Sequence, residues 1–185
     1  LLRPAVVLCP GGGYGFVSPR EDQPVAMEFL AAGCQVFPAL QRCPGNLSRG
    51  PYGTGQSVAL VKSHACEWNI DTERIMVCGF SAGGHLAACL GMMWNRDFLY
   101  GPLNMAPEDI QPKGMILCYP VITSGEFGHK RSFEQLLGAR PAIPDSGNWF
   151  PWNSRQDRTH PEPSCGTPGP TSPCLQKTLC CWPRP

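Results

Sequence analysis

The chain has 185 residues, 42% of them hydrophobic and 16% charged, with 15 basic against 14 acidic side chains and a formal net charge of +1 at pH 7. That length allows one domain with a sizeable core. The balanced charge gives no strong field, which argues against nucleic acid or an anionic membrane as the main partner. No run approaches the roughly 18 apolar residues of a membrane span and no basic-then-apolar leader is present, so the expected location is the cytoplasm.

The 11 cysteines are not spaced like a disulfide scaffold. Cys9, Cys78, Cys89 and Cys118 sit inside apolar runs, where a free thiol behaves as a small hydrophobe. Cys180, Cys181 and the other tail cysteines form no CxxC pair and have no histidine at zinc spacing. Neither a metal nor a cofactor is expected.

The chain opens Leu1-Leu2-Arg3, which reads as the edge of a fragment. Pro4 to Cys9 is a continuous apolar run, the pattern of a strand covered on both faces of a parallel sheet. It feeds Pro10-Gly11-Gly12-Gly13-Tyr14-Gly15, either a floppy turn or a place where backbone N–H groups approach a developing oxyanion unobstructed. Dinucleotide and P-loop spacings are both absent. Asp22 to Ala32 reads as a helix with acidic residues in its first turn; Val25, Ala26, Phe29 and Leu30 share one side, and Gly33 closes it. Gln35-Val36-Phe37 starts a second strand, and no period can be found between Pro38 and Thr54. Val58, Val61, Ala65 and Trp68 then form a helical stripe, with Asn69-Ile70-Asp71 as a turn.

The apolar run Ile75 to Cys78 ends in Gly79-Phe80-Ser81-Ala82-Gly83, and an Ala/Leu-rich helical stretch follows directly. Strand, sharp turn and helix written consecutively around G-x-S-x-G are a nucleophile elbow. Residues two before and two after the serine must be nearly without side chains or they collide across the bend, and Gly79 and Gly83 meet that need. Ser81 is thereby expected at the top of the sheet, over the positive end of the next helix.

Trp94 to Lys113 reads as loop, Gly114 to Cys118 as another buried strand, Tyr119 to Glu126 as a loop at the carboxyl end of the sheet, and Ser132 to Leu137 as a short helix that Ser132 caps. This alternation predicts an α/β fold with a doubly wound, mostly parallel sheet. From Ala139 the chain changes: ten of the last 47 residues are proline and four are cysteine, with no apolar period. The expected organisation is a partial hydrolase domain over 1–138 and an aperiodic tail over 139–185.

Pro10-Gly11-Gly12-Gly13-Tyr14, Gly79-Phe80-Ser81-Ala82-Gly83-Gly84-His85 and Tyr119-Pro120-Val121-Ile122-Thr123-Ser124-Gly125 together resemble the α/β-hydrolase esterases of the acetyl-xylan esterase, xylanase-like and feruloyl-esterase-like group, near the hormone-sensitive-lipase type. The resemblance covers roughly 1–138. It implies an incomplete α/β-hydrolase fold in which Ser81 is the nucleophile and the N–H groups of Gly12, Gly13 and Ala82 form the oxyanion hole. It also implies a carboxylesterase acting on a small-molecule or carbohydrate ester, with acetyl the expected acyl group.

The family's acid and histidine lie further along, and the printed chain does not show them. Read from the third base of each codon, Glu162 to Pro185 can spell AFLWHTWTDQSVPAENSLLLAAA and Trp149 to Asn153 can spell VSLE. The first of these is similar to the family's acid-bearing segment, with the aspartate where Pro170 and Thr171 stand, so a change of frame near Ala139 is expected. A weaker case lies at Pro38 to Cys43, where the other shift permits LLYSVA.

Among the printed candidates, His85 lies one helical turn behind Ser81 and reads as a structural histidine; His64 reads as solvated. His129 follows Glu126 at the correct end of the sheet and is a candidate for the substrate mouth. Tyr14 either contacts substrate or only covers the glycine turn. Asp145, Asp157 and His160 fall in the aperiodic tail. The expectation is a protein of esterase lineage with little or no turnover. A prolyl-oligopeptidase-type serine peptidase and a non-catalytic binding fold are the alternatives.

Overall fold

The computed structural model describes residues 1–40, 49–123 and 128–137. Four strands, β1 (Arg3–Cys9), β2 (Gln35–Pro38), β3 (Ile70–Phe80) and β4 (Gly114–Cys118), form one parallel sheet in the order β2-β1-β3-β4. The two central strands carry the apolar runs, and Ala5, Val6, Val7, Leu8, Ile75 and Val77 are fully buried.

Because side chains alternate along a strand, consecutive residues of β1 enter different cores. Ala5 and Val7, with Val77 of β3, pack against Val58 and Val61 of α2 (Arg49–Ser63) and Ala87 and Leu90 of α3 (Ala82–Met93). Val6 and Leu8, with Cys78, pack against Ala26 of α1 (Gln23–Ala31), with Val25 and Phe29 at its margin. Helices on both faces of a parallel sheet give the doubly wound architecture expected from the alternation of elements.

Several boundaries differ from the sequence reading. Leu30 is 45% exposed and leaves the buried side of α1. The first turn of α1 holds no acidic residue, since Asp22 stands at the N-cap without a side-chain capping bond. Helix α2 begins at Arg49, within the stretch from Pro38 to Thr54 that shows no period and ahead of the helical stripe that starts at Val58. Pro51 is tolerated there because the first turn of a helix has no intrahelical acceptor for its N–H groups. Strand β3 already pairs at Ile70 with Arg3, and the ladder resumes at Ile75 with Ala5 after an irregularity. What reads as a turn at 69–71 is therefore an irregular strand start, with Asn69 at φ +55°.

The expected loop from Trp94 to Lys113 contains α4 (Asp97–Tyr100), a 3₁₀ turn at Gly101–Leu103 and α5 (Pro107–Ile110). Leu99 and Ile110 are fully buried and pin these short elements to the α2/α3 core. Strand β4 is less covered than a run like Gly114 to Cys118 suggests, with Met115 36% exposed at the edge of the described sheet.

Helix α6 (Lys130–Leu137) starts before Ser132, which is buried inside it and does not cap it. His129 performs that task, its Nδ1 accepting from the Ser132 N–H at 3.3 Å. No described helix is long and apolar enough to cross a membrane. The aperiodic tail, both reading-frame expectations beyond Leu40, Glu126, Asp145, Asp157 and His160 lie outside the described residues.

Candidate active site

Ser81 occupies the junction of β3 and α3 at φ +52° and ψ −117°, a region that a residue with a Cβ enters only under constraint. Three hydrogen bonds supply the constraint. Its N–H donates to the Cys118 carbonyl at 3.0 Å, and its own carbonyl accepts from the N–H groups of Val121 and His85, each at 3.1 Å. The side chain does not cap α3.

Two glycines make the bend sterically feasible, each for its own reason. A Cβ on Gly79 would lie 2.3 Å from the Gly83 carbonyl oxygen, the collision across the bend that the motif predicts. A Cβ on Gly83 would instead meet the end of β1, 2.0 Å from the Cys9 carbonyl oxygen and 2.5 Å from that of Pro10. Gly83 is thus small because α3 docks on β1, a correction to the expectation that it too clears the bend.

The glycine turn abuts this elbow. A Cβ on Gly11 would lie 3.0 Å from Ser81 Cβ. Gly12, Gly13 and Tyr14 have φ of +128°, +59° and +66°, so the chain coils tightly, with the Gly12 carbonyl accepting from Gly15 and Phe16 at 3.1 and 3.2 Å. The N–H groups of Gly12, Gly13 and Ala82 donate to no described residue. Backbone donors left without a described acceptor near a serine are of the type that a developing oxyanion needs.

Tyr14 points the other way. It is 3% exposed, its ring meets the His85 ring edge-on at 5.9 Å, and its hydroxyl hydrogen-bonds His85 Nδ1. Tyr14 therefore covers the glycine turn from inside and is not placed to touch a molecule in the Ser81 cleft. His85 is 2% exposed, with Nε2 3.4 Å from Cys89 Sγ, and burial pushes its pKa down to about 4. Facing Tyr14 and Cys89, it is spent on packing.

His64 is not simply solvated. It lies just past the last turn of α2, its Nδ1 3.1 Å from the Leu60 carbonyl oxygen and its ring stacked on Trp68 at 4.6 Å. Burial also pushes the thiols of Cys9, Cys78 and Cys89 up to about 12, which makes them inert core residues.

A cleft of about 260 Å³ opens on Ser81 and is walled by Tyr119, Pro120, Val121, Ile122 and His129. His129 is exposed, with Nδ1 2.8 Å from Ser132 Oγ and accepting the Ser132 N–H. With Nδ1 an acceptor, the neutral ring carries its proton on Nε2 and offers a donor. No group of His, Cys, Asp and Glu side chains among the described residues is arranged to hold a metal ion.

Two residues of this site escaped the sequence reading. Glu21 accepts from the Gly11 N–H at 2.8 Å and from the Tyr119 hydroxyl at 2.7 Å. An acidic residue just after a glycine turn, and an aromatic one just after the last strand, were the available signals.

The family described as BD-FAE matches residues 53–120. The chain is 32% identical over 144 residues to endo-1,4-beta-xylanase B of Butyrivibrio fibrisolvens, covering 75% of this chain and 22% of that protein. It is 33% identical over 137 residues to an acetylxylan esterase of Xylanibacter ruminicola, covering 72% and 26% respectively. The structure of an acetyl ester-xyloside bifunctional hydrolase from Caldicellulosiruptor lactoaceticus superposes with a TM-score of 0.63 at 32% identity, over 76% of this chain and 52% of that one. The chain thus spans about a quarter of these two relatives and about half of the solved structure. By its sheet, its elbow and these likenesses, the chain belongs to the α/β-hydrolase superfamily, and the relatives and solved structures it resembles are esterases and other hydrolases.

Proposed function

We propose that this chain carries the nucleophilic half of a serine carboxylesterase for short-acyl esters, with acetyl groups on carbohydrate as the favoured substrate. The acetylxylan esterase likeness supports the acyl group. The observation that carries the reading is the contact between the strained Ser81 and a glycine turn whose Gly12 and Gly13 amides donate to no described residue.

Ser81 Oγ attacks the ester carbonyl carbon, and the carbonyl oxygen takes the displaced electron pair. The N–H groups of Gly12, Gly13 and Ala82 hold that oxyanion. Collapse expels the alcohol, which takes up from solvent the proton that Ser81 Oγ gave up, and leaves an acyl-serine that water hydrolyses to the free acid and the serine. His129 donates Nε2–H to the substrate at the mouth of the cleft, and Tyr14 supports the turn from below.

The proton acceptor for Ser81 is not one of the described histidines. His85 is buried against Tyr14 and Cys89, His64 caps α2, and His129 presents a donor. We assign 1–138 to the hydrolase unit and 139–185 to a segment outside it, and infer little or no steady-state turnover. The buried thiols fit a reducing compartment such as the cytoplasm.

Incubation with p-nitrophenyl acetate tests this. We expect p-nitrophenol release far below ordinary esterase rates, with acetyl retained on Ser81 by mass spectrometry. Ordinary rates that vanish in Ser81→Ala overturn the low-turnover inference. A non-catalytic ester-binding fold is favoured over a peptidase by the lack of a described base, and it predicts binding that Ser81→Ala leaves intact.

A further inference from the structure

Both backbone groups of Gly11 are used. Its N–H donates to Glu21 Oε2 at 2.8 Å and its carbonyl accepts from the Ser18 N–H at 2.9 Å. Glu21 closes the 3₁₀ turn Pro19–Glu21, whose Glu21 N–H returns to the Ser18 carbonyl at 3.2 Å. The segment from Gly11 to Glu21 is therefore a loop latched at its neck. The carboxylate is the latch.

The other oxygen of that carboxylate reaches the wall of the cleft that Tyr119 forms. Glu21 Oε1 accepts from the hydroxyl of Tyr119, which directly follows β4 and sits at φ +37°. Tyr119 is also the residue next to Cys118, whose carbonyl holds the Ser81 N–H, and two before Val121, whose N–H holds the Ser81 carbonyl. One side chain thus bridges the turn with the unused amides and the segment that pins the strained serine.

We propose that Glu21 is a positioning residue for the Ser81 site, fixing the glycine turn against the β4 end so that the N–H groups of Gly12 and Gly13 stay aimed at the place where the ester oxygen becomes charged. This rests on the Ser81 nucleophile reading above. It adds a role that neither the elbow nor the glycine turn provides alone. An amide that drifts by about 1 Å loses most of its worth to a developing charge, and misplacements of that size cost up to about 100-fold in rate. The carboxylate also leaves a local signature. Partial loss of solvent around a phenol that stays half-exposed, and then the hydrogen bond to Glu21, push the Tyr119 pKa up.

Two measurements on the full 185-residue chain test the proposal, using Glu21→Ala, Glu21→Gln and Tyr119→Phe. The first is the ultraviolet titration of Tyr119 in wild type and Glu21→Gln, assigned by its loss in Tyr119→Phe. The second is the rate at which paraoxon phosphorylates Ser81, followed by intact mass in variants whose thermal unfolding matches wild type. We expect the Tyr119 titration to fall toward the ordinary tyrosine value in Glu21→Gln. Phosphorylation should slow about tenfold or more in Glu21→Ala. Glu21→Gln, which keeps a carbonyl oxygen for Gly11, should recover part of that rate.

An unchanged Tyr119 titration shows there is no latch and overturns the proposal. Equal labelling of wild type and Glu21→Ala overturns the role of Glu21 while leaving Ser81 as nucleophile. A wild-type chain that takes no label removes the nucleophile reading itself, and the role of Glu21 falls with it.

Discussion

Two turns meet at Ser81, and they are held by different balances of exclusion and hydrogen bonding. The elbow at 79–83 is fixed by exclusion, because backbone oxygens stand 2.0 to 2.3 Å from where a methyl group on Gly83 or Gly79 would be. The turn at 11–14 shares that exclusion at Gly12, where a Cβ would lie 2.0 Å from the Phe16 carbonyl oxygen, but its neck and flank rest on hydrogen bonds: the Gly11 N–H donates to Glu21, the Gly11 carbonyl accepts from Ser18, and Tyr14 bonds His85. Steric fixation fails all at once, since backbone cannot step aside. Hydrogen-bond fixation fails by degrees, and it can be weakened with a pH change or a single side-chain atom.

The largest expected effect is where an added carbon meets backbone, and the elbow supplies the test. Gly83→Ala should destabilise the chain by more than about 3 kcal/mol or prevent folding, because the added carbon meets two backbone carbonyls. Urea denaturation measures this, and a loss under 1 kcal/mol would show that α3 can shift on β1.

The second effect separates the turns by pH. His85 binds a proton in the unfolded chain near 6.5 but in the folded one only near about 4. Its contribution is fully present above pH 6.5 and is lost as the pH falls toward 4, by an amount on the order of 3 kcal/mol. His85→Gln should flatten that slope in denaturation curves, although it costs stability at neutral pH. A slope that survives the substitution would assign acid sensitivity elsewhere.

Gly13→Ala ranks third and is the direct counterpart of the elbow variant. Its Cβ would sit 3.5 Å from Ser132 Oγ, an ordinary contact, so only the φ of +59° is penalised. About 1 kcal/mol is expected. Equal losses at Gly13 and Gly83 would erase the distinction between a strained φ and a backbone collision.

The smallest effect is a gain. Ser81→Gly releases the strain at φ +52° and should hold or raise stability by up to about 1 kcal/mol, whereas Ser81→Ala retains the strain and should not. Thermal unfolding of the pair distinguishes them.

The same contrast explains what could be read from the amino acids. The elbow was legible because steric exclusion writes itself as glycine, and Gly79 and Gly83 admit no substitute. The strands were legible because burial on both faces writes itself as apolar runs, as in Ala5 to Leu8. Contacts spanning 71 residues between Tyr14 and His85, or 98 between Glu21 and Tyr119, leave no periodic mark. Pro51 and the glycines around it hid the start of α2. The short helices at 97–110 are set by Leu99 and Ile110 entering an existing core, a tertiary choice that local propensity does not record.

The most direct test of the central claim is to locate the adduct after paraoxon treatment of the full chain, by intact mass followed by peptide mapping. The account predicts a single diethylphosphoryl group on Ser81, absent in Ser81→Ala. No adduct, or one carried by another residue, would contradict it.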